Sequence, residues 1–248
     1  MTTFDELLAE GAAVPTEGWD FSWFAGRASE ERPPWGYAGL VAQRSGSARA
    51  MLDVQTGGAE VLAQIPHVPP LLRATESWPP NLDLARPRLT ALGGQVVQVE
   101  DTEPLPFDDG TFDLVVSRHP TVVLWEEIAR VLRPGGTYLS QQVGKASVHE
   151  LSEAMLGDFE PSDGRSPERA VAAAEGAGLR VRDLQTARLR MTFNDIAAVV
   201  HFLRKVIWIV PGFTVEAYRP QLELLHERIQ AEGPFVAHST RFLIEAGR

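Results

Sequence analysis

Cysteine is absent from all 248 residues, which excludes disulfides, thiolate metal sites and a cysteine nucleophile together. Basic runs are missing as well. Against 33 acidic residues stand 23 basic ones, for a net charge of -10, and the one adjacent basic pair is Arg204-Lys205. A nucleic-acid binder usually shows a basic stripe that neutralises phosphates, so RNA and DNA are disfavoured as partners. No apolar run approaches the ~20 residues that span a bilayer. The opening MTTFDELLAEGAAVP carries acids and no basic region ahead of an apolar stretch, so no signal peptide is expected and a cytoplasmic location is. Metal-ligand spacings are lacking too: His67, His149, His201, His226 and His238 are scattered and read as surface or packing residues, and no metal is expected.

What is present is an ordinary globular composition, 44% hydrophobic and 23% charged, on a length that suits one α/β domain with a possible lid insertion. After a short amphipathic helix over Phe4–Glu10 comes a loop rich in Gly, Pro and aromatics, Gly18–Tyr37, and then a second helix. From Ala48 the chain alternates. Strands are expected at Ala50–Val54, Leu71–Thr75 (ending at Glu76), Gln95–Glu100, Phe112–Ser117 and Thr137–Val143. Helices are expected at Gly58–Gln64, at Asn81–Leu92 with a kink or late start at Pro87, and at Glu126–Leu132, stopped by Arg133-Pro134-Gly135-Gly136. Strands and helices alternating at this spacing predict a parallel sheet with helices on both faces. The last third predicts a helix at Pro167–Ala177, a strand region Leu179–Thr192, helices Asn194–Val206 and Val215–Ala231, and a closing strand Phe235–Ala246.

Leu52-Asp53-Val54-Gln55-Thr56-Gly57-Gly58-Ala59-Glu60 is the most informative stretch. A strand that ends in an acid and opens through adjacent glycines onto a helix brings backbone N–H groups, and the positive end of the helix, toward a bound anion. A plain tight turn is the alternative. The stretch resembles the glycine-rich first motif of class I S-adenosylmethionine-dependent methyltransferases, Asp-x-Gly-x-Gly-x-Gly. Gln55 and Ala59 stand where glycines are usual, and Gly57 matches. With its Cβ, Gln55 is expected to avoid the left-handed backbone, its side chain hydrogen-bonding the cofactor or the loop.

Four further landmarks resemble the same family in register. Glu76, 23 residues after Asp53, is placed to accept both ribose hydroxyls; an exposed loop glutamate is the other reading. Glu100-Asp101-Thr102-Glu103-Pro104-Leu105-Pro106-Phe107 resembles the family's Gly-Asp-Ala-x-x-Leu-Pro-Phe, whose Asp meets the adenine amino group. Phe112-Asp113-Leu114-Val115-Val116 and Glu127–Gly136 match its fourth strand and the helix and turn before its fifth. The resemblance covers Ala48–Val143 and implies S-adenosylmethionine, with S-adenosylhomocysteine as product, held by Asp53, Gln55, Thr56, Gly57, Gly58, Glu76, Asp101, Thr102 and Ser117. A nicotinamide enzyme is the poorer reading, because Gln55–Glu60 lacks Gly-x-Gly-x-x-Gly and Glu60 brings negative charge toward the phosphates.

In open parallel sheets ligands sit beyond the carboxyl ends of the strands, which places Ser117-Arg118-His119-Pro120 beside the expected sulfonium. His119 can take a proton from an acceptor and Arg118 can hold its carboxylate or phenolate; both can instead orient the loop. The aromatic segment with Trp19, Trp23, Trp35 and Tyr37 can cover the site or pack as a leader. His201 and Trp208 on the helical insertion can form the opposite wall or a homodimer contact. The resulting expectation is a seven-stranded, mostly parallel sheet with an antiparallel last strand, in three α/β/α layers. Its parts are a cover (1–47), a cofactor core (48–192), a helical lid (193–233) and a closing strand (234–248). The expected function is methyl transfer to a small-molecule acceptor through oxygen, nitrogen or carbon. RNA or protein methylation and non-catalytic cofactor binding are the alternatives.

Overall fold

The computed structural model describes residues 2–18 and 20–248; Trp19 of the aromatic segment lies outside the described residues. In chain order the elements are α1 (Phe4–Ala13), β1 (Ala28–Glu30), α2 (Tyr37–Ser45), β2 (Ala50–Asp53), β3 (Leu71–Glu76), α3 (Pro79–Ala91), β4 (Gln95–Gln98) and β5 (Phe112–Arg118). There follow α4 (Trp125–Val131), β6 (Leu132–Val143), α5 (His149–Leu156), α6 (Pro167–Gly176), β7 (Arg180–Phe193), α7 (Ile196–Lys205), α8 (Arg219–Glu232) and β8 (Phe235–Gly247). Hydrogen bonding orders the strands β1-β7-β8-β6-β5-β2-β3-β4. The run β6-β5-β2-β3-β4 is parallel throughout, and β8 is antiparallel to β6.

Among the described residues the sheet has eight strands, not the seven expected. The additional one is β1, antiparallel to β7 through Ala28–Phe193 and Glu30–Met191, inside the segment expected to be loop. Three residues are too few to show the two-residue alternation that marks a strand. Two differences are larger. No α-helix forms over Gly58–Gln64, where turns lead to a single 3-10 turn at Leu62–Gln64. Gly57 and Ala59 both take left-handed backbone, at φ 62 and φ 62, which breaks the run of helical dihedrals needed to nucleate a helix. The strand expected to begin at Thr137 begins at Leu132, with a bulge opposite Phe112 and Leu114. A Cβ at Gly136 would meet the Arg133 carbonyl oxygen at 2.9 Å and that of Phe112 at 3.3 Å, so the close strand approach there requires glycine.

The chain divides into two compact units. One comprises Pro33–Gly144, Gly164–Ala187 and Arg241–Arg248. Its central strand β2 is buried at every residue, as both faces of a parallel sheet require. Helices pack on each side around cores that contain Leu52, Val115, Tyr138 and Phe242, and Met51, Leu72, Leu89 and Leu139. The other comprises Met1–Arg32, Lys145–Asp163 and Arg188–Thr240. Its core is built on α7, a helix buried over Ile196–Leu203. Helix α1 lies against it closely enough that a Cβ on Gly11 would strike the Ala197 carbonyl at 2.4 Å. Among the described residues no helix is long and apolar enough to cross a membrane.

Candidate functional site

The carboxyl ends of β2, β3 and β5 gather most of the polar residues singled out in the sequence. Asp53 closes β2, is 5% exposed, and accepts a hydrogen bond from Thr56 Oγ1 at 2.7 Å. Burial lifts its carboxyl to about 7, with Glu76 and Glu60 adding to the rise and Thr56 and Arg118 opposing it. Glu76 closes the neighbouring strand β3 and is also 5% exposed, so it is no exposed loop glutamate. Its Oε2 accepts from Gly57 N–H at 2.7 Å and its Oε1 from Ser77 and Trp78 N–H at 3.1 and 3.0 Å. Burial raises this carboxyl as well, against those hydrogen bonds and one from Asn81. Asn81, in the first turn of α3, is 7% exposed and its Oδ1 has no donor among the described residues. The sequence reading missed it, because an Asn behind a Pro-Pro helix start looks like ordinary capping.

Gln55 adopts the left-handed backbone that its Cβ was expected to forbid, at φ 57. Its side chain explains why the conformation persists. Gln55 Nε2 donates to the Val122 carbonyl at 2.7 Å, and Gln55 Oε1 accepts from Thr121 N–H at 2.6 Å, so the loop, as one of the two expected partners, receives it. Thr121 Oγ1 also hydrogen-bonds Asp101. Together these bonds draw residues 120–122 against the turn after β2. The cleft between them, lined by Val54, Gln55, Asp101, Leu105, Ser117 and Tyr138, holds about 20 Å³, room for a water molecule. Thr102 is exposed. Gly58 serves the protein itself, since a Cβ there would meet Glu60 Oε1 at 2.4 Å and Arg88 Nη1 at 2.8 Å. With no α-helix at Gly58–Gln64, the helix end expected there to face the site is not formed, contrary to expectation. The Gly57 N–H is aimed at Glu76.

Near the end of β5, Ser117 is buried and its Oγ bonds the Tyr138 hydroxyl at 2.7 Å and Ser140 Oγ at 2.9 Å. Its carbonyl accepts from the Tyr37 hydroxyl at 2.8 Å. Arg118 is exposed. His119 sits at φ 55 with Nε2 2.8 Å from Gln141 Nε2. Gln141 Oε1 already accepts from Trp35 Nε1 at 2.7 Å, so the Gln141 amide nitrogen must be the donor and His119 Nε2 the acceptor. That assigns a neutral ring with its proton on Nδ1. Burial, and then Arg241, Arg118 and Arg165, push His119 well below its ordinary value.

The residues expected to cover the site are divided between the two units. Trp35 and Tyr37 belong to the larger unit and are tied to β6 and β5. Trp23, His201 and Trp208 belong to the other. There His201 is 1% exposed, stacked on Phe24 at 4.9 Å and edge-on to Trp23 at 5.1 Å, and burial brings it to about 4. Trp208 packs on the same core. A second missed feature is Arg130, whose guanidinium grips both Glu127 oxygens at 2.7 Å and the Leu105 and Phe107 carbonyls at 2.8 and 2.7 Å. This planar fork holds the loop that follows Asp101, so the helix ahead of Pro134-Gly135-Gly136 positions the site as well as a strand.

Residues 52–140 match the family described as "Methyltransferase domain". No curated protein sequence matches the chain. Among solved structures, a putative methyltransferase from Bacillus halodurans is similar at TM-score 0.60, with 18% identity over 85% of this chain and 97% of that one. YcgJ from Bacillus subtilis is similar at TM-score 0.60, with 18% identity over 86% and 97%. A complex of the Haloferax volcanii Trm112 methyltransferase activator with a putative methyltransferase gives TM-score 0.53 and 19% identity over 98% and 95%. At these identities the structures share the fold, and the sequence match supplies the family of its central stretch. Over residues 52–140, then, this chain is similar to a methyltransferase domain.

Proposed function

We propose that the protein transfers the methyl group of S-adenosylmethionine to a small-molecule acceptor. The observation that carries the cofactor assignment is the pairing of Asp53 and Glu76, two buried acids closing adjacent strands, with the donorless Asn81 Oδ1 beside them. A ribose diol brings two O–H donors, and a buried acceptor without a donor costs ~1–3 kcal/mol until one arrives. The residues present therefore fit the nucleoside end of this cofactor. Asn81 and Glu76 would take the ribose, and Asp101 the adenine amino group once Thr121 releases it. Asp53, Gly57 and Ser117 would line the remainder, with Gln55 reaching it through the loop and Thr56 orienting Asp53. When bound, the cofactor supplies an electrophilic methyl on a sulfonium, so the protein's part is in-line placement of the acceptor.

His119 suits a positioning role better than that of a base. Its Nε2 lone pair is held by Gln141 and its Nδ1 carries the proton, so accepting another proton requires Gln141 to turn away. Arg118, exposed at the end of β5, is the nearer candidate to meet an acceptor's negative charge. The net charge of -10 and the lack of a basic run support a small acceptor over nucleic acid.

Calorimetric titration with S-adenosylhomocysteine, on the wild type and on Asp101→Ala, tests the reading. Micromolar binding that the variant loses supports it. No binding by either, with no thermal stabilisation by the cofactor in the presence of acceptor mixtures, overturns it. Binding without turnover on metabolite extracts would instead make the protein a cofactor-binding regulator.

A further inference from the structure

A second cavity opens on the same carboxyl edge of the sheet, between the loop after β5 and the start of α6. It encloses about 320 Å³, at the lower end of the ~300–1,000 Å³ of small-molecule pockets. Its walls are apolar, made by Trp125, Val143, Ala170 and Phe242. Its polar lining includes Arg165, Arg169 and Gln142, with Thr121 and Ser166. All lie in the larger unit.

Gln142 is the telling residue. It is 8% exposed, near the end of β6, and its Nε2 has no hydrogen-bond partner among the described residues. The preceding Gln141 uses both of its amide atoms, on Trp35 and His119, so the orphan is peculiar to the strand face that lines the cavity. A buried amide N–H without an acceptor costs ~1–3 kcal/mol, and a bound oxygen would remove that cost. The charge around it has the matching sign: Arg165, Arg118 and Arg241 all act on His119 as positive neighbours, and Arg165 is itself partly desolvated.

The donor set also selects among anions. Ser166 Oγ accepts the Arg169 N–H at 3.2 Å, and Pro167 at the first helical position has no N–H. Helix α6 thus offers few free backbone donors of the kind that cradle phosphate. Planar guanidinium forks with one amide suit two coplanar oxygens.

We propose that this cavity binds the carboxylate of an apolar organic acid, its hydrocarbon body lying against Trp125 and Phe242 and its carboxylate meeting Arg165, Arg169 and Gln142 Nε2. That this acid is the methyl acceptor rests on the methyl-transfer reading above; the anion site does not.

The test titrates the full chain with phenylacetate, phenylacetamide and phenyl phosphate, with S-adenosylhomocysteine in parallel, by calorimetry. Phenylacetate should bind at least about tenfold more tightly than the uncharged amide. That advantage should disappear in Arg165→Gln and in Gln142→Leu and persist in Asp101→Ala. Equal binding of acid and amide, a preference for phenyl phosphate, or full affinity in both cavity variants would overturn the proposal. Cofactor binding with no carboxylate binding sinks the cavity assignment alone. Carboxylate binding with no cofactor binding keeps the anion site and removes its identification with a methyl acceptor.

Discussion

Asp53→Asn isolates one electrostatic contribution that can be sized from the structure. The Asp53 carboxyl rises from its ordinary 3.8 to about 7, chiefly because burial penalises its charge. At about 1.4 kcal/mol for each pK step, ionising it in the folded chain costs about 4 kcal/mol more than in the unfolded chain. Between those two values the folded state binds the proton and the unfolded state does not. The stability associated with Asp53 is therefore complete below 3.8 and is lost as pH climbs through about 7, giving a falling slope with pH. Asparagine keeps an oxygen for the Thr56 hydroxyl, the 2.7 Å hydrogen bond of the native site, and never ionises. Wild type and variant should unfold at nearly the same urea midpoint near pH 4. The variant should then gain progressively, up to about 4 kcal/mol by pH 8, or roughly 2–4 °C of Tm per kcal/mol in a chain of this size. Glu76 is present in both proteins, and its repulsion of the Asp53 charge is part of the difference. Urea titrations at four or five pH values measure it directly. Parallel stability curves across that range would show that Asp53 is hydrated or ionised at little cost and would refute the burial argument.

Arg130→Ala removes the fork on Glu127 and the bonds to the Leu105 and Phe107 carbonyls. It should cost about 2 kcal/mol, and speed limited proteolysis within residues 101–109, with Arg130→Lys restoring less than half; unchanged proteolysis would contradict the clamp. His119 should remain neutral with its proton on Nδ1 from pH 6.5 upward, because its protonation lies well below the ordinary value. Nitrogen NMR showing titration at or above about 6.5 would contradict this. Gln55→Gly relieves a left-handed residue at φ 57, a cost of ~1–2 kcal/mol, and gives up the bonds to Thr121 and Val122. Stability should stay within about 1 kcal/mol while affinity for S-adenosylhomocysteine rises, because the loop no longer closes the cleft beside Asp101. Weaker binding would mean that the Gln55 tether is part of the bound site.

Periodicity alone placed most elements of the larger unit within a residue or two. Strands β2, β3 and β5 carry apolar runs bounded by turn residues, and that signal is local. The buried acids Asp53 and Glu76 were legible for the same reason, since each ends such a run before a turn. Short or left-handed features escaped. The three residues of β1 are strand only because β7 lies beside them. The segment after Gly57 has a helix-forming composition, yet Ala59 at φ 62 denies it a nucleus. Nothing in the sequence distinguishes Gln141 from Gln142, although the amide of one is bonded at both atoms and its neighbour's Nε2 is not.

By itself the sequence determined most strands and helices of the larger unit, the parallel sheet, the match of residues 52–140 to a methyltransferase domain and the acids at the strand ends, because each is written in neighbouring residues. Only the tertiary structure decided the rest. It drew Thr121 to Gln55 and Asp101, joined Trp35 to His119 through Gln141, set Arg130 over Leu105 and Phe107, and left Gln142 without a partner. Those outcomes depend on which groups far apart in the chain come within 3 Å of one another. Local propensity carries no information about such distances.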